Sequence, residues 1–337
     1  MAIDEPELCL ELFLDWLAAS RGSRFRPDQR PFDGLTARCT DGQRTLAVEV
    51  RPLLAAPEYE VWEAYRRKLE GEIAADLPGA FAFWVPLGAD LPGEGDALED
   101  FRQRVRRAAL ALQPGERGHL RLPVQLRLRK VDDEGGLMSV VGGLSRYWAG
   151  MSERVRGTFD LDASAIHRLP ESEEERTALV DRVVQEAGRL SELRQWVHLD
   201  AEDVWTIQRL RQGQGLLIVG LPPQALADIG IAVRRNLRRI LTDAGPRLLG
   251  ASADLKALLI LGIYDSAEEE NVSTSLRGFD PALYTSLDFV CLAADGRLKP
   301  IVEPKPQRRP SVGEGLQTLA PFDRRGLKTP TYITDGP

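Results

Sequence analysis

Asp33 in Pro31-Phe32-Asp33, and Glu49 and Arg51 in Val48-Glu49-Val50-Arg51, have the residue types and spacing for phosphoryl chemistry. Residues 33–39 and 45–51 read as extended segments around Thr40-Asp41-Gly42-Gln43, and Asp-Gly is a strong hairpin signal. That hairpin puts Asp33 and Glu49 on adjacent strands, with Arg51 on the face of Glu49. Two carboxylates brought close together repel, and a divalent cation with oxygen ligands, such as Mg²⁺, relieves the repulsion. Such an ion also polarises a phosphodiester and activates water. A guanidinium beside it stabilises charge developing at phosphorus. The arrangement suits phosphodiester hydrolysis. The plainer reading of the same residues is a solvated sheet face with a cross-strand ion pair, which contributes little.

The elements that would position these groups follow from periodicity. Leu8, Leu12, Phe13, Trp16 and Leu17 recur at helical spacing over 6–20, with Glu7, Glu11 and Asp15 as a carboxylate stripe. Extended segments follow at 23–26, 33–39 and 45–51; in the last, Leu46, Val48 and Val50 face one way and Thr45, Ala47, Glu49 and Arg51 the other. A helix is predicted over 58–77, and the apolar run 80–86 reads as a buried central strand. A helix over 97–112 precedes an alternating strand over 119–130. Residues 133–170 are glycine-rich and irregular, which marks a domain boundary near 150 or a long insertion. Ser172-x-x-Glu175 caps a helix running to about 197. Then come a strand over 215–220, a helix over 223–244, a strand over 257–264 and a hairpin of 286–292 with 297–302.

The chain has 337 residues, 43% hydrophobic and 28% charged, with a net charge of −7. That length suggests two domains. The composition is globular, and no apolar run is long enough to span a membrane. The acidic N-terminus does not read as a secretory signal. Three cysteines without a CxxC give neither a disulfide framework nor a zinc ribbon, so a cytoplasmic location is expected. The negative charge means that any nucleic-acid binding must use local patches.

Over about 6–87, the order helix, three strands, helix, strand resembles the core of the PD-(D/E)xK nuclease superfamily, the restriction-endonuclease-like fold. Pro31-Phe32-Asp33 matches that pattern with one residue inserted, and Glu49-Val50-Arg51 matches with arginine in the lysine position. The resemblance implies an α/β protein with a mixed central sheet flanked by helices. The nuclease-like domain it implies is taken as 1–150; the glycine-rich stretch sets off a second α/β domain over 151–305, and composition marks a Pro/Arg-rich tail over 306–337. It makes Asp33 and Glu49 ligands of Mg²⁺, with Arg51 as electrostatic stabiliser and Glu11 or Glu7 completing the site. The activity implied is a metal-dependent endonuclease of a prokaryotic cytoplasm. Arginine, unlike lysine, stays protonated and cannot act as a base, although it can clamp a phosphate. The alternative is therefore an inactive subunit of the same fold that binds nucleic acid, or a protein partner through the second domain or the tail.

Two basic faces are candidates for phosphate contact: Arg121, Arg127 and Arg129 on the 119–130 strand, and Arg234 and Arg238, with Arg235 and Arg239, on the 223–244 helix. Their plainer readings are a charge-protected edge strand and a solvated helix face. His119, His167 and His198 are too scattered for a metal triad, and there is neither a P-loop nor a GxSxG nucleophile elbow.

Overall fold

A computed structural model describes residues 3–54, 60–75, 77–222, 229–263 and 272–303. The first helix, α1 (Glu5–Arg21), starts where the Asp4 side chain accepts a hydrogen bond from Glu7 N, and ends at Gly22 in a left-handed conformation. β1 (Arg26–Gln29) pairs with β2 (Ala37–Thr40), and the Asp41-Gly42 turn carries β2 into β3 (Thr45–Pro52), as the sequence predicts. Asp41 closes that turn by accepting from the backbone of Gln43 and Arg44 at 3.0 and 2.8 Å.

β3 continues in parallel with β10 (Leu255–Leu261), then β11 (Phe289–Ala294), with β12 (Arg297–Val302) antiparallel at the edge. The order of this six-stranded mixed sheet is β1-β2-β3-β10-β11-β12. Alternation along the strands gives it two buried faces. α1 packs Leu8, Leu12 and Phe13 against the face of Val48, Val50 and Leu259. α6 (Ile229–Gly250) packs Leu237, Ile240 and Ala244 against the opposite face, that of Ala47, Leu258 and Ile260.

The second six-stranded sheet runs β6 (Gly136–Gly142), β7 (Gly157–Ala163), β5 (Arg117–Asp132), β8 (Trp196–Arg209), β4 (Ala80–Trp84), β9 (Gly215–Val219). Here α2 (Glu60–Ala74) and α3 (Asp96–Leu110) cover Phe81, Phe83 and Ile207. A short α4 (Trp148–Ser152) and α5 (Glu173–Arg189) cover Leu128, Phe159 and Leu161. The reverse side of β4 and β9, with Ala82, Trp84 and Val219, joins α1 in one core with the first sheet.

The chain is therefore a mixed α/β protein with two mixed sheets flanked by helices, and several expectations are corrected. The strand after α2 does not return to the β1–β3 sheet; β10 takes the place beside β3 and β4 lies in the second sheet. No domain boundary falls at 150/151, because β3–β10 and β5–β8 pairing carries both sheets across it and residues 1–303 form one compact unit. The stretch 133–170 holds β6, α4 and β7, and the helix after Ser172 stops at Arg189, leaving Trp196–Arg209 to form β8. The expected tail at 306–337 lies outside the described residues. Cys9, Cys39 and Cys291 are buried free thiols. No helix among the described residues is long and apolar enough to cross a membrane.

A charged tie joins the sheets. Asp295, in the β11–β12 turn and 2% exposed, accepts hydrogen bonds from Arg168 and, at 2.8 Å, from Arg117 at the start of β5. Glu171 takes Arg117 and Arg168 on Oε1 at 2.6 and 2.8 Å and Arg297 on Oε2 at 2.7 Å. Burial opposes the Glu171 charge, but the hydrogen bond and charge of Arg117, with Arg297 and Arg168, more than offset it and hold the carboxyl at about 2. A carboxyl lowered from 4.5 stabilises the fold fully above the unfolded value. That contribution is lost as pH falls through the interval down to about 2. Urea melts should show this loss in the wild type and a flatter profile in Glu171→Gln. Asp295→Ala, which removes a carboxylate from beside buried Arg168, should cost about 3 kcal/mol.

Candidate functional site

Asp33 lies in a tight turn and not on a strand. Phe32 and Leu35 exchange backbone hydrogen bonds at 3.2 and 2.7 Å, and the two residues between them, Asp33 and Gly34, have φ of 48° and 73°. Aspartate and glycine are among the residues that tolerate this left-handed pair. The Asp33 side chain is exposed and makes no hydrogen bond or ion pair among the described residues.

Glu49 is placed very differently. It stands in mid-β3 on the face of Ala47, beneath α6, and is 2% exposed. Its Oε1 accepts Arg247 Nη2 at 2.9 Å and pairs with Arg51 Nη2 at 2.6 Å. Its Oε2 accepts Thr36 N at 3.2 Å, and Thr36 Oγ1 in turn accepts Val50 N at 2.9 Å. Arg247, on the last turns of α6, also donates to Gly34 O at 3.3 Å and to Asp243 O at 3.1 Å. One guanidinium thus ties the helix to the 32–35 turn and to the central strand. Burying a carboxylate costs several kcal/mol unless its charge is answered. Here two guanidiniums and a backbone N–H answer it.

This donor set does not fit Mg²⁺. Two guanidiniums on Glu49 Oε1 would repel a cation at the same carboxylate, Oε2 already accepts Thr36 N, and the other expected ligand faces solvent from a turn. The structure makes Arg51 a partner of the acid and not a bystander to a metal. Glu11 and Glu7 cannot complete the site, because α1 lies on the opposite face of the sheet. Glu11 instead accepts Arg211 N at 2.6 Å, Asp15 pairs with Arg211 at 2.9 Å and Glu7 with Arg30 at 3.4 Å. Burial pushes the Glu11 carboxyl above its ordinary range.

The two basic faces differ as well. β5 is an interior strand between β7 and β8, not an edge. Arg121 is paired with Glu175 and Glu202 at 2.6 and 2.9 Å, Arg129 with Asp160 at 2.6 Å, and Arg127 with Asp162. Arg127 and Arg129 also lie over the Trp196 ring, at 5.4 and 4.5 Å. Acids on β7, β8 and α5 therefore answer the charges of this face. On α6, Arg234, Arg235, Arg238 and Arg239 are exposed and form no ion pair among the described residues; Arg238 rests 5.1 Å from the Phe279 ring.

Arg247 and Thr36 escaped the sequence reading. Thr36 lies within a segment read as strand, and Arg247 meets Glu49 across 198 residues with no local motif to mark it. No family model, curated protein or solved structure matches the chain.

Glu49→Gln should lower stability by about 1.5–3 kcal/mol, the range for hydrogen bonds to a charged group. A double-mutant cycle with Arg247→Gln, read by urea denaturation, should show coupling of about 1 kcal/mol or more. Additive effects would mean that the two side chains do not support each other.

Proposed function

We propose that this protein is a non-catalytic binding subunit that holds the phosphate backbone of nucleic acid along α6. The observation that carries the non-catalytic part is the clamp on Glu49: the single buried acid of the motif is already occupied by Arg51 and Arg247. The resemblance to restriction-endonuclease-like proteins then concerns the order of elements and a short motif, with the catalytic ion replaced by internal arginines.

The α6 ridge supports the binding part. Its arginines recur at i, i+1, i+4 and i+5, so they occupy one stripe over successive turns. Backbone phosphates are held by such charges without regard to base sequence. The β5 face offers no comparable surface, since its guanidiniums are spent on Asp160, Asp162, Glu175 and Glu202.

Fluorescence anisotropy with duplex and single-stranded DNA and RNA tests the proposal. Binding should weaken steeply with salt. Replacing Arg234, Arg235, Arg238 and Arg239 by alanine should reduce the slope of log K against log salt by about one for each phosphate no longer held. Incubation with plasmid or RNA in Mg²⁺ or Mn²⁺ should leave the substrate intact. Absence of binding at low salt would turn the account toward a protein partner. Cleavage that disappears in Glu49→Gln would restore the metal-dependent endonuclease.

A further inference from the structure

The tie around Glu171 leaves a cleft of about 400 Å³ between the segment entering α5 and the start of β12, lined by Arg146, Arg168, Arg176, Arg297 and Glu171. Four guanidiniums share this space with one carboxylate. That carboxylate is already taken on both oxygens, by Arg117 and Arg168 on one and Arg297 on the other. Arg168 is turned inward, to Val204 O at 3.1 Å and to Asp295. Arg176 is anchored to the carbonyls of Pro170 and Glu171 at 2.8 and 2.7 Å, and to Glu173.

Two of the four remain open. Arg146 donates to the neighbouring Tyr147 hydroxyl at 3.0 Å, and Arg297 uses Nη2 on Glu171. Among the described residues, no protein acceptor takes the other guanidinium nitrogens of either side chain. A protein that pairs nearly every arginine on its β5 face thus keeps two guanidinium edges facing a polar cleft. A guanidinium with donors to spare can hold two oxygens of one tetrahedral anion.

We infer that this cleft is a binding site for a phosphate monoester, with Arg146 and Arg297 as its two contacts. A monoester carries close to two negative charges at neutral pH and three acceptor oxygens, enough to engage both guanidiniums at once. Glu171 sets their spacing by holding Arg297, and its own charge, already answered by Arg117 and Arg168, does not repel the ligand as a free carboxylate would. The site is separate from α6 and stands whether or not nucleic acid binds there.

Calorimetric titration of the full chain with inorganic phosphate and with AMP, at constant ionic strength, tests the inference. Saturable binding at one site is expected, weakened at least about tenfold in Arg146→Ala/Arg297→Ala. Both side chains are exposed, and equal melting temperatures of variant and wild type would show that the fold is kept. The α6 quadruple alanine variant should bind phosphate as the wild type does. A parallel titration with 5′-phosphorylated and 5′-hydroxyl oligonucleotides identifies the source of the group. Preference for AMP indicates a free mononucleotide, and preference for the phosphorylated strand indicates its 5′ end. No saturation by millimolar phosphate, or unchanged affinity in the double variant, overturns the inference.

Discussion

A carboxylate buried in the middle of a sheet must be neutralised by something, and the choice of counter-charge decides what Glu49 can do. In this protein two guanidiniums do it, one from the same strand and one from the helix above. Arg247 reaches Glu49 and Gly34 O together, so the position of α6, the shape of the 32–35 turn and the placement of the Glu49 carboxylate on β3 depend on one another. Removing one arginine leaves the buried carboxylate with a single counter-charge, and removing Glu49 leaves two half-exposed guanidiniums without their acid. The geometry that stabilises the sheet also surrounds Glu49 with positive charge, which opposes a cation there.

Internal pairing of arginine recurs through the molecule. Lysine occurs only at positions 68, 130, 256, 299, 305 and 328, so cationic work falls mostly to guanidiniums. Their planar fork suits partly buried ion pairs better than an ammonium does. Arg117 and Arg168 bind the β11–β12 turn of one sheet to the second sheet, and Arg121, Arg127 and Arg129 lace β5 to acids on its neighbours. On α6, Arg234, Arg235, Arg238 and Arg239 stand outside this scheme and form no ion pair among the described residues.

Much of the local structure is legible in sequence. The α1 stripe, the Asp41-Gly42 hairpin, the two-faced pattern of residues 45–51 and the apolar strands at 80–86 and 257–264 all rest on short-range periodicity, which the fold preserves. What is not legible depends on long-range pairing. Glycines at 135, 142 and 157 read as irregular chain, yet Gly135 precedes β6, Gly142 ends it and Gly157 opens β7, each with positive φ. The capping box at Ser172 marks the start of α5 correctly but says nothing of its end. Periodicity carries that helix on into Trp196, although Val197, Leu199 and Ala201 alternate with exposed Trp196, His198 and Asp200 in β8. The site is hidden for the same reason. Spacing singles out residues 33, 49 and 51, whereas the partner that determines their chemistry comes from residue 247. The Asp33-Gly34 pair, which makes a turn, looks in sequence like the start of a strand.

Glu49 serves as the counter-ion of Arg51 and Arg247, and its second oxygen accepts Thr36 N. Electron paramagnetic resonance of Mn²⁺ mixed with the wild-type chain and with Glu49→Gln decides the point, because the free aqueous ion gives a sharp spectrum that broadens on binding. Both proteins should leave the same free-ion signal. A bound ion in the wild type that disappears in Glu49→Gln would show that Glu49 is a metal ligand after all.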